Sequence, residues 1–235
     1  LVLPILPPAF RAQSVKPYGK EWLPRFDRLV ELATSVTVAS SGEKLTEAAI
    51  GFAASVAKGA AMENARRLEG RAGGVELNDV PTTEFDPASD RFFLLERTAP
   101  TPRSQLAKGI LNIALITDGL GRDMAGWSPI GEGFEMRNLE SPDAALALLV
   151  DLRQTNPDAR AALVMTASDA SPRFTGEYCA SLLRLSKCAN PGTTIADRVT
   201  AHALLSTTSH LRIEPLGELA DAGGAIEIYA IDPVA

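Results

Sequence analysis

The chain has 235 residues, 46% hydrophobic and 22% charged, the composition of an ordinary globular protein with ample length for a core. Its formal net charge of -6 lacks the basic footprint of a nucleic-acid binder, and no apolar run approaches the ~20 residues of a membrane helix. The apolar start, residues 1–6, has neither the basic region nor the cleavage site of a signal peptide; with two cysteines that read as reduced thiols, a cytoplasmic protein with no nucleic-acid and no membrane partner is expected.

Residues 1–7 begin without an initiator Met and read as a buried strand running into a loop, so further residues upstream are expected. Residues 21–32 form a short helix with Leu23, Phe26, Leu29, Val30 and Ala33 on one face. The β-branched run Ser35-Val36-Thr37-Val38-Ala39 reads as a central strand. Ser40-Ser41-Gly42 is a turn, and a long helix over 43–68 follows, with Leu45, Ala49, Phe52, Val56 and Ala60 at helical spacing and a stop at Gly70. Gly51 and Gly59 weaken it by about 1 kcal/mol each against Ala unless they permit close packing. Phe92-Phe93-Leu94-Leu95 is a last apolar strand. This alternation predicts a parallel, truncated Rossmann-like α/β domain over 1–99.

The turn Ser40, Ser41 and Gly42 either binds an anion such as a nucleotide phosphate at a helix N-terminus or is an ordinary cap. No G-x-G-x-x-G occurs, so a dinucleotide fingerprint is absent from the sequence. Two prolines in Thr98-Ala99-Pro100-Thr101-Pro102-Arg103-Ser104 break ladders and helices, which places a linker at 100–106.

A second domain over 107–235 starts with a strand at 111–117 and a hairpin turning at Gly131-Glu132-Gly133. Ser141-Pro142-Asp143 opens a helix with an N-cap serine, a first-position proline and an acid in the first turn; it ends before Asn156-Pro157. A strand at 161–166, a helix at 177–187 stopped by Asn190-Pro191-Gly192 and a helix at 195–205 follow. Leu211-Arg212-Ile213 and Ile226-Glu227-Ile228-Tyr229 close the domain as strands, which together describe an α+β, ferredoxin-like sandwich. Leu146, Leu149, Val150 and Leu152 form a core or dimer seam, and His202 and His210 are helix-end or surface residues. Cys179 and Cys188 match no zinc spacing and read as reduced, partly buried thiols.

Asp118 ends an apolar strand and Glu132 sits in a glycine-flanked turn, an arrangement that presents two carboxylates to magnesium and a triphosphate. Glu132 reaches one methylene further than an Asp would, which the octahedral geometry of magnesium tolerates poorly. For each acid the alternative is a plain turn residue.

The second domain resembles a class III nucleotidyl cyclase homology domain. The likeness runs through Ile130-Gly131-Glu132-Gly133-Phe134, Ser141-Pro142-Asp143-Ala144-Ala145-Leu146-Ala147-Leu148, Phe174-Thr175-Gly176, Arg184 and Asn190-Pro191-Gly192. It ends in Arg212-Ile213-Glu214-Pro215-Leu216-Gly217-Glu218-Leu219. More weakly, the first domain resembles the Rossmann-like (SLOG/TIR-like) domain of bacterial tetratricopeptide-repeat signalling proteins. That likeness rests on the Leu-Pro strand, Glu21-Trp22, Arg25-Phe26 and the strand at 33–37.

The cyclase resemblance implies a homodimer that converts a nucleoside triphosphate with Mg2+ or Mn2+, as a phosphorus–oxygen lyase. It puts Asp118 and Glu132 at the metal positions, Ser128 and Arg173 at the purine-reading positions, and Ala180 and Arg184 at the transition-state pair. Ser128 and Arg173 do not keep the family's base-reading groups, and Ala180 has no polar group; one lost donor of this kind costs about 10²–10³ in rate. The family also places two helices between its first strand and the hairpin. Here only Arg122 to Ile130 intervene, nine residues that span at most about 30 Å. Either the helices are lost or residues are missing there, as in the similarly abbreviated passage from Val80 to Asp90.

Three functions follow. The first is a degenerate cyclase homology domain that serves a bacterial-type signalling protein as a regulatory, nucleotide-sensing or dimerising module. The second is an active, divergent cyclase that uses Asp118, Glu132 and Arg184. The third is a nucleotide-ligand sensor acting through Ser40, Ser41 and Gly42 of the first domain.

Overall fold

A computed structural model describes residues 1–76, 90–95, 106–118, 126–169, 176–208, 210–221 and 224–233. The chain divides into one unit of Leu1–Leu111 with Ala167–Ser171 and a second of Asn112–Thr166 with Pro172–Ala235. Of the linker expected at 100–106, residues 100–105 lie outside the described residues. Among the described residues no helix is long and apolar enough to cross a membrane.

In the first unit, β1 (Val2–Leu3) pairs in parallel with β2 (Thr37–Val38). The crossover runs through α1 (Pro7–Phe10), short helical turns and α2 (Trp22–Leu32). Phe26 is the buried residue of α2 and packs on Phe10 with ring centroids 5.7 Å apart. Arg11 adds a fork to Asp27, donating from Nε at 2.7 Å and Nη2 at 2.9 Å. Leu29, expected on the buried face, is 53% exposed.

The long helix of this unit, α3 (Glu47–Arg67), begins four residues later than its expected start at 43. Thr46 takes the cap: its backbone is extended, and its Oγ1 accepts from the Ala49 N–H at 3.0 Å. Ala49, Phe52 and Val56 then bury the expected stripe. β3 (Arg71–Glu76), not expected from sequence, pairs in parallel with β4 (Asp90–Leu95), which contains the expected strand 92–95.

Parallel pairing is therefore present. The single Rossmann-like sheet is not seen among the described residues, because β1–β2 and β3–β4 are separate two-stranded sheets. The run 35–39 contributes two residues to such a pair and is not a central strand.

The second unit is built on a seven-stranded sheet of order β10-β11-β9-β8-β5-β7-β6. Its strands are β5 (Ile110–Asp118), β6 (Ser128–Gly131), β7 (Phe134–Leu139), β8 (Ala161–Ser168), β9 (Thr194–Asp197), β10 (Leu211–Asp221) and β11 (Gly224–Pro233). The β5–β7, β6–β7, β9–β11 and β10–β11 pairs are antiparallel, and β8–β9 is parallel. The α+β expectation holds at this level: a mostly antiparallel sheet with helices.

Helix α4 (Pro142–Thr155) starts where the sequence predicts, with the Ser141 hydroxyl accepting from the Ala144 N–H at 3.1 Å. Its Leu149 and Leu152 are buried, whereas Val150 is 43% exposed. Helix α5 (Gly176–Lys187) also matches its expected span.

Residues 114 and 116 of β5 join Phe134, Ala162, Val164 and Ile195 in a core against Leu182 and Leu185 of α5. Ile113 and Leu115, on the opposite face by the two-residue period of a strand, are equally buried. Both faces of β5 are thus covered, which explains its continuous apolar run.

The helix expected over 195–205 is instead β9 followed by α6 (Arg198–Thr207). Ile195 and Ala196 are fully buried and pair with both β8 and β11, and a buried strand of four residues has the same apolar signature as a buried helical turn. Asp197 marks the change by accepting the Thr200 N–H at 2.7 Å as the N-cap of α6. His202, expected near the surface, is 2% exposed on α6, with its ring 5.7 Å from that of Tyr229. His210 is exposed, as is the thiol-bearing Cys188, which corrects the expectation of partly buried thiols for that residue.

Candidate functional site

Strand register brings the backbone of Asp118 beside the hairpin that carries Glu132. Asp118 is the last residue of β5 and faces Phe134, the first residue of β7. Glu132 lies two residues before Phe134, in the turn between β6 and β7. Both turn residues have positive φ, 54° at Glu132 and 79° at Gly133, the requirement of a type I′ hairpin turn.

Each carboxylate is nevertheless engaged by a basic group of the same chain. Asp118 Oδ1 accepts the backbone N–H of Arg160 at 2.7 Å, and Oδ2 accepts the Arg160 Nε–H at 2.6 Å. In return the Asp118 N–H donates to the Arg160 carbonyl at 3.1 Å, and the Thr117 hydroxyl donates to that carbonyl at 2.9 Å. Asp118 ends β5 and Arg160 immediately precedes β8, so these bonds tie one strand's end to its neighbour's start. The Arg160 guanidinium also lies 5.3 Å from the centroid of the Phe134 ring. Glu132 pairs through Oε2 with the ammonium of Lys187, the last residue of α5. A cation at that position also faces the negative end of the helix dipole.

As paired here, this donor set is not arranged around a divalent cation. Magnesium needs near-octahedral oxygen ligands. Both oxygens of Asp118 already accept hydrogen bonds, Glu132 is ion-paired, and among the described residues no group of three or more His, Cys, Asp or Glu side chains gathers.

The remaining expected residues lie elsewhere. Ser128 is exposed at the start of β6, opposite Met136. Arg184 is exposed on α5, and its Nη2 donates to the Ala220 carbonyl near the end of β10 at 2.7 Å. Arg173 lies outside the described residues. In the first unit Ser40 is buried, with its hydroxyl donating to the Ala167 carbonyl at 2.6 Å and accepting from the Gly42 N–H at 3.2 Å. Ser41 is exposed and Gly42 half-buried. Because Thr46 caps α3, the turn 40–42 does not form that helix's N-terminus, which corrects the geometry expected of an anion site there.

Sequence reasoning missed Arg160, Lys187 and Asp197. Lys187 could have been flagged as a basic residue in the last turn of a helix. Arg160 carries no local signal, since its partner is 42 residues away. The Asp197 carboxyl is raised above the ordinary carboxylate range by burial, against the opposing pull of the Thr200 N–H and of His202.

No protein-family model matches the chain, and no curated protein does. Among solved structures it is similar to an adenylate/guanylate cyclase/hydrolase from Silicibacter pomeroyi, at 12% identity and a TM-score of 0.43, over 55% of this chain and 100% of that one. The guanylate cyclase domain of RhGC from Catenaria anguillulae, in complex with GTP, matches at 9% identity and 0.40, over 54% and 98%. Adenylate cyclases from Trypanosoma brucei match at 12% identity and 0.37, over 53% of this chain and 90% of theirs.

Proposed function

We propose that residues 107–235 are a degenerate nucleotidyl cyclase homology domain that serves as a regulatory, nucleotide-sensing or dimerising module in bacterial-type signalling. The observation that carries this reading is the engagement of both expected metal carboxylates by internal cations, Asp118 by Arg160 and Glu132 by Lys187. Cyclisation needs the 3′-hydroxyl of a nucleoside triphosphate activated and the departing pyrophosphate neutralised. Asp118 and Glu132 in their present pairings hold strands and a helix together, and Ala180 offers no hydrogen bond to a transition state.

A nucleoside triphosphate is the ligand class this reading names, with homodimerisation as the second output. Titrating the full chain with ATP and GTP should raise its melting temperature, or sedimentation should show a dimer. No thermal shift together with a monomer at all concentrations would overturn the regulatory reading.

A second reading, a divergent active cyclase using Asp118, Glu132 and Arg184, draws support from the register that brings the Glu132 turn beside Asp118. It requires Arg160 and Lys187 to release their partners when Mg2+ or Mn2+ binds.

A further inference from the structure

We propose that Arg160 and Lys187 stand in for divalent cations at this frame, so that the chain holds its carboxylate pair neutralised and takes up neither Mg2+ nor Mn2+ there. The inference deepens the degenerate-domain reading and concerns the same residues.

The geometry is that of a closed pair. Three hydrogen bonds join Asp118 and Arg160: backbone N–H to carboxylate at 2.7 Å, Nε–H to carboxylate at 2.6 Å, and the Asp118 N–H to the Arg160 carbonyl at 3.1 Å. An arginine cannot yield its place by losing a proton, because its guanidinium stays charged at any physiological pH. A metal ion at Oδ2 must therefore either displace Nε or sit beside a fixed positive charge. Displacement would also pull the guanidinium off the Phe134 ring, 5.3 Å away. Only 22% of the Asp118 side chain is exposed, which limits other routes of approach.

Lys187 does the same for Glu132 by a different route. Lys187 is the last residue of α5, where the negative end of the helix dipole favours positive charge whether or not Glu132 is present. The two carboxylates are thereby neutralised one for one, by the residue that precedes β8 and by the last residue of α5.

The test is binding of Mn2+ to the full-length chain without nucleotide, read from the loss of the free-ion electron paramagnetic resonance signal. The wild-type chain should leave that signal unchanged in millimolar Mn2+. The Arg160→Gln, Lys187→Gln double variant should bind at least tenfold more tightly than the wild type. Equal Mn2+ affinity in the two proteins, or no uptake by either, would overturn the inference. If the double variant does not fold, Lys187→Gln alone, at an exposed pair, should still tighten binding at least threefold; an unchanged affinity counts against it. Because no nucleotide is present, Mn2+ uptake by the wild type would sink this inference while leaving the regulatory reading to its own test.

Discussion

Replacing Asp118 by Ala should cost the second unit about 2–3 kcal/mol. The change leaves the Arg160 backbone N–H without its acceptor at 2.7 Å and the guanidinium without its acceptor at 2.6 Å. Hydrogen bonds to a charged group contribute about 1.5–3 kcal/mol each. The Arg160 side chain is 36% exposed, so water recovers part of its loss, and the sum falls well below twice the single-bond figure. Asp118→Asn keeps one neutral acceptor for the Arg160 N–H and should cost about 1 kcal/mol.

The measurement is urea unfolding in a Trp22→Phe background. The chain has two tryptophans, so fluorescence then reports Trp127, in the second unit. The midpoint should fall with the slope unchanged. A loss below about 0.5 kcal/mol for the Ala variant, or equal losses for Ala and Asn, would refute a structural role for this pair.

Three further expectations concern the scaffold. Burial raises the Asp197 carboxyl, so the folded state keeps a proton that the unfolded chain has released; wild-type stability relative to Asp197→Asn should fall as pH rises from the ordinary value of 3.8. Unfolding midpoints of both proteins from pH 4 to 7 check this, and a difference that stays flat or grows with pH contradicts it. Gly133 has φ of 79°, and an added methyl group would meet only open space, so Gly133→Ala should destabilise by about 1–2 kcal/mol in the same urea assay through backbone strain alone, and a neutral outcome would rule that strain out. Gly51 is exposed in α3, and an added methyl meets nothing within 4 Å, so Gly51→Ala should raise the stability of the first unit by about 0.5–1 kcal/mol, measured by Trp22 fluorescence. A loss there would mean that the glycine serves close packing after all.

Signals confined to a few neighbouring residues were the legible ones. Ser141-Pro142-Asp143 fixed the start of α4 because a cap, a first-position proline and a first-turn acid act within one turn. The hairpin at Glu132-Gly133 was readable because a type I′ turn demands positive φ, which glycine supplies. Where two local signals compete, the sequence alone does not decide between them. Ser40-Ser41-Gly42 looked like the entry to α3, but Thr46 provides the cap in an extended backbone with its hydroxyl on Ala49. Ile195 and Ala196 looked helical, but pairing on both sides makes them a strand.

The places of the two carboxylates were legible, and their partners were not. Asp118 and Glu132 were found from their places at a strand end and in a turn, whereas Arg160 and Lys187 reach them through tertiary contacts that no local pattern encodes. Charge pairing between distant residues is decided by sheet register, and register emerges only once β5, β7 and β8 lie side by side.

The central proposal is that this carboxylate frame does not support cyclisation. Its most direct test is to incubate the full-length chain with each of ATP, GTP, CTP and UTP in the presence of Mg2+ or Mn2+ and quantify cyclic product by mass spectrometry. No cyclic nucleotide above the protein-free background is expected from any of the four. Accumulation of a cyclic product that disappears in the Asp118→Ala variant would contradict it.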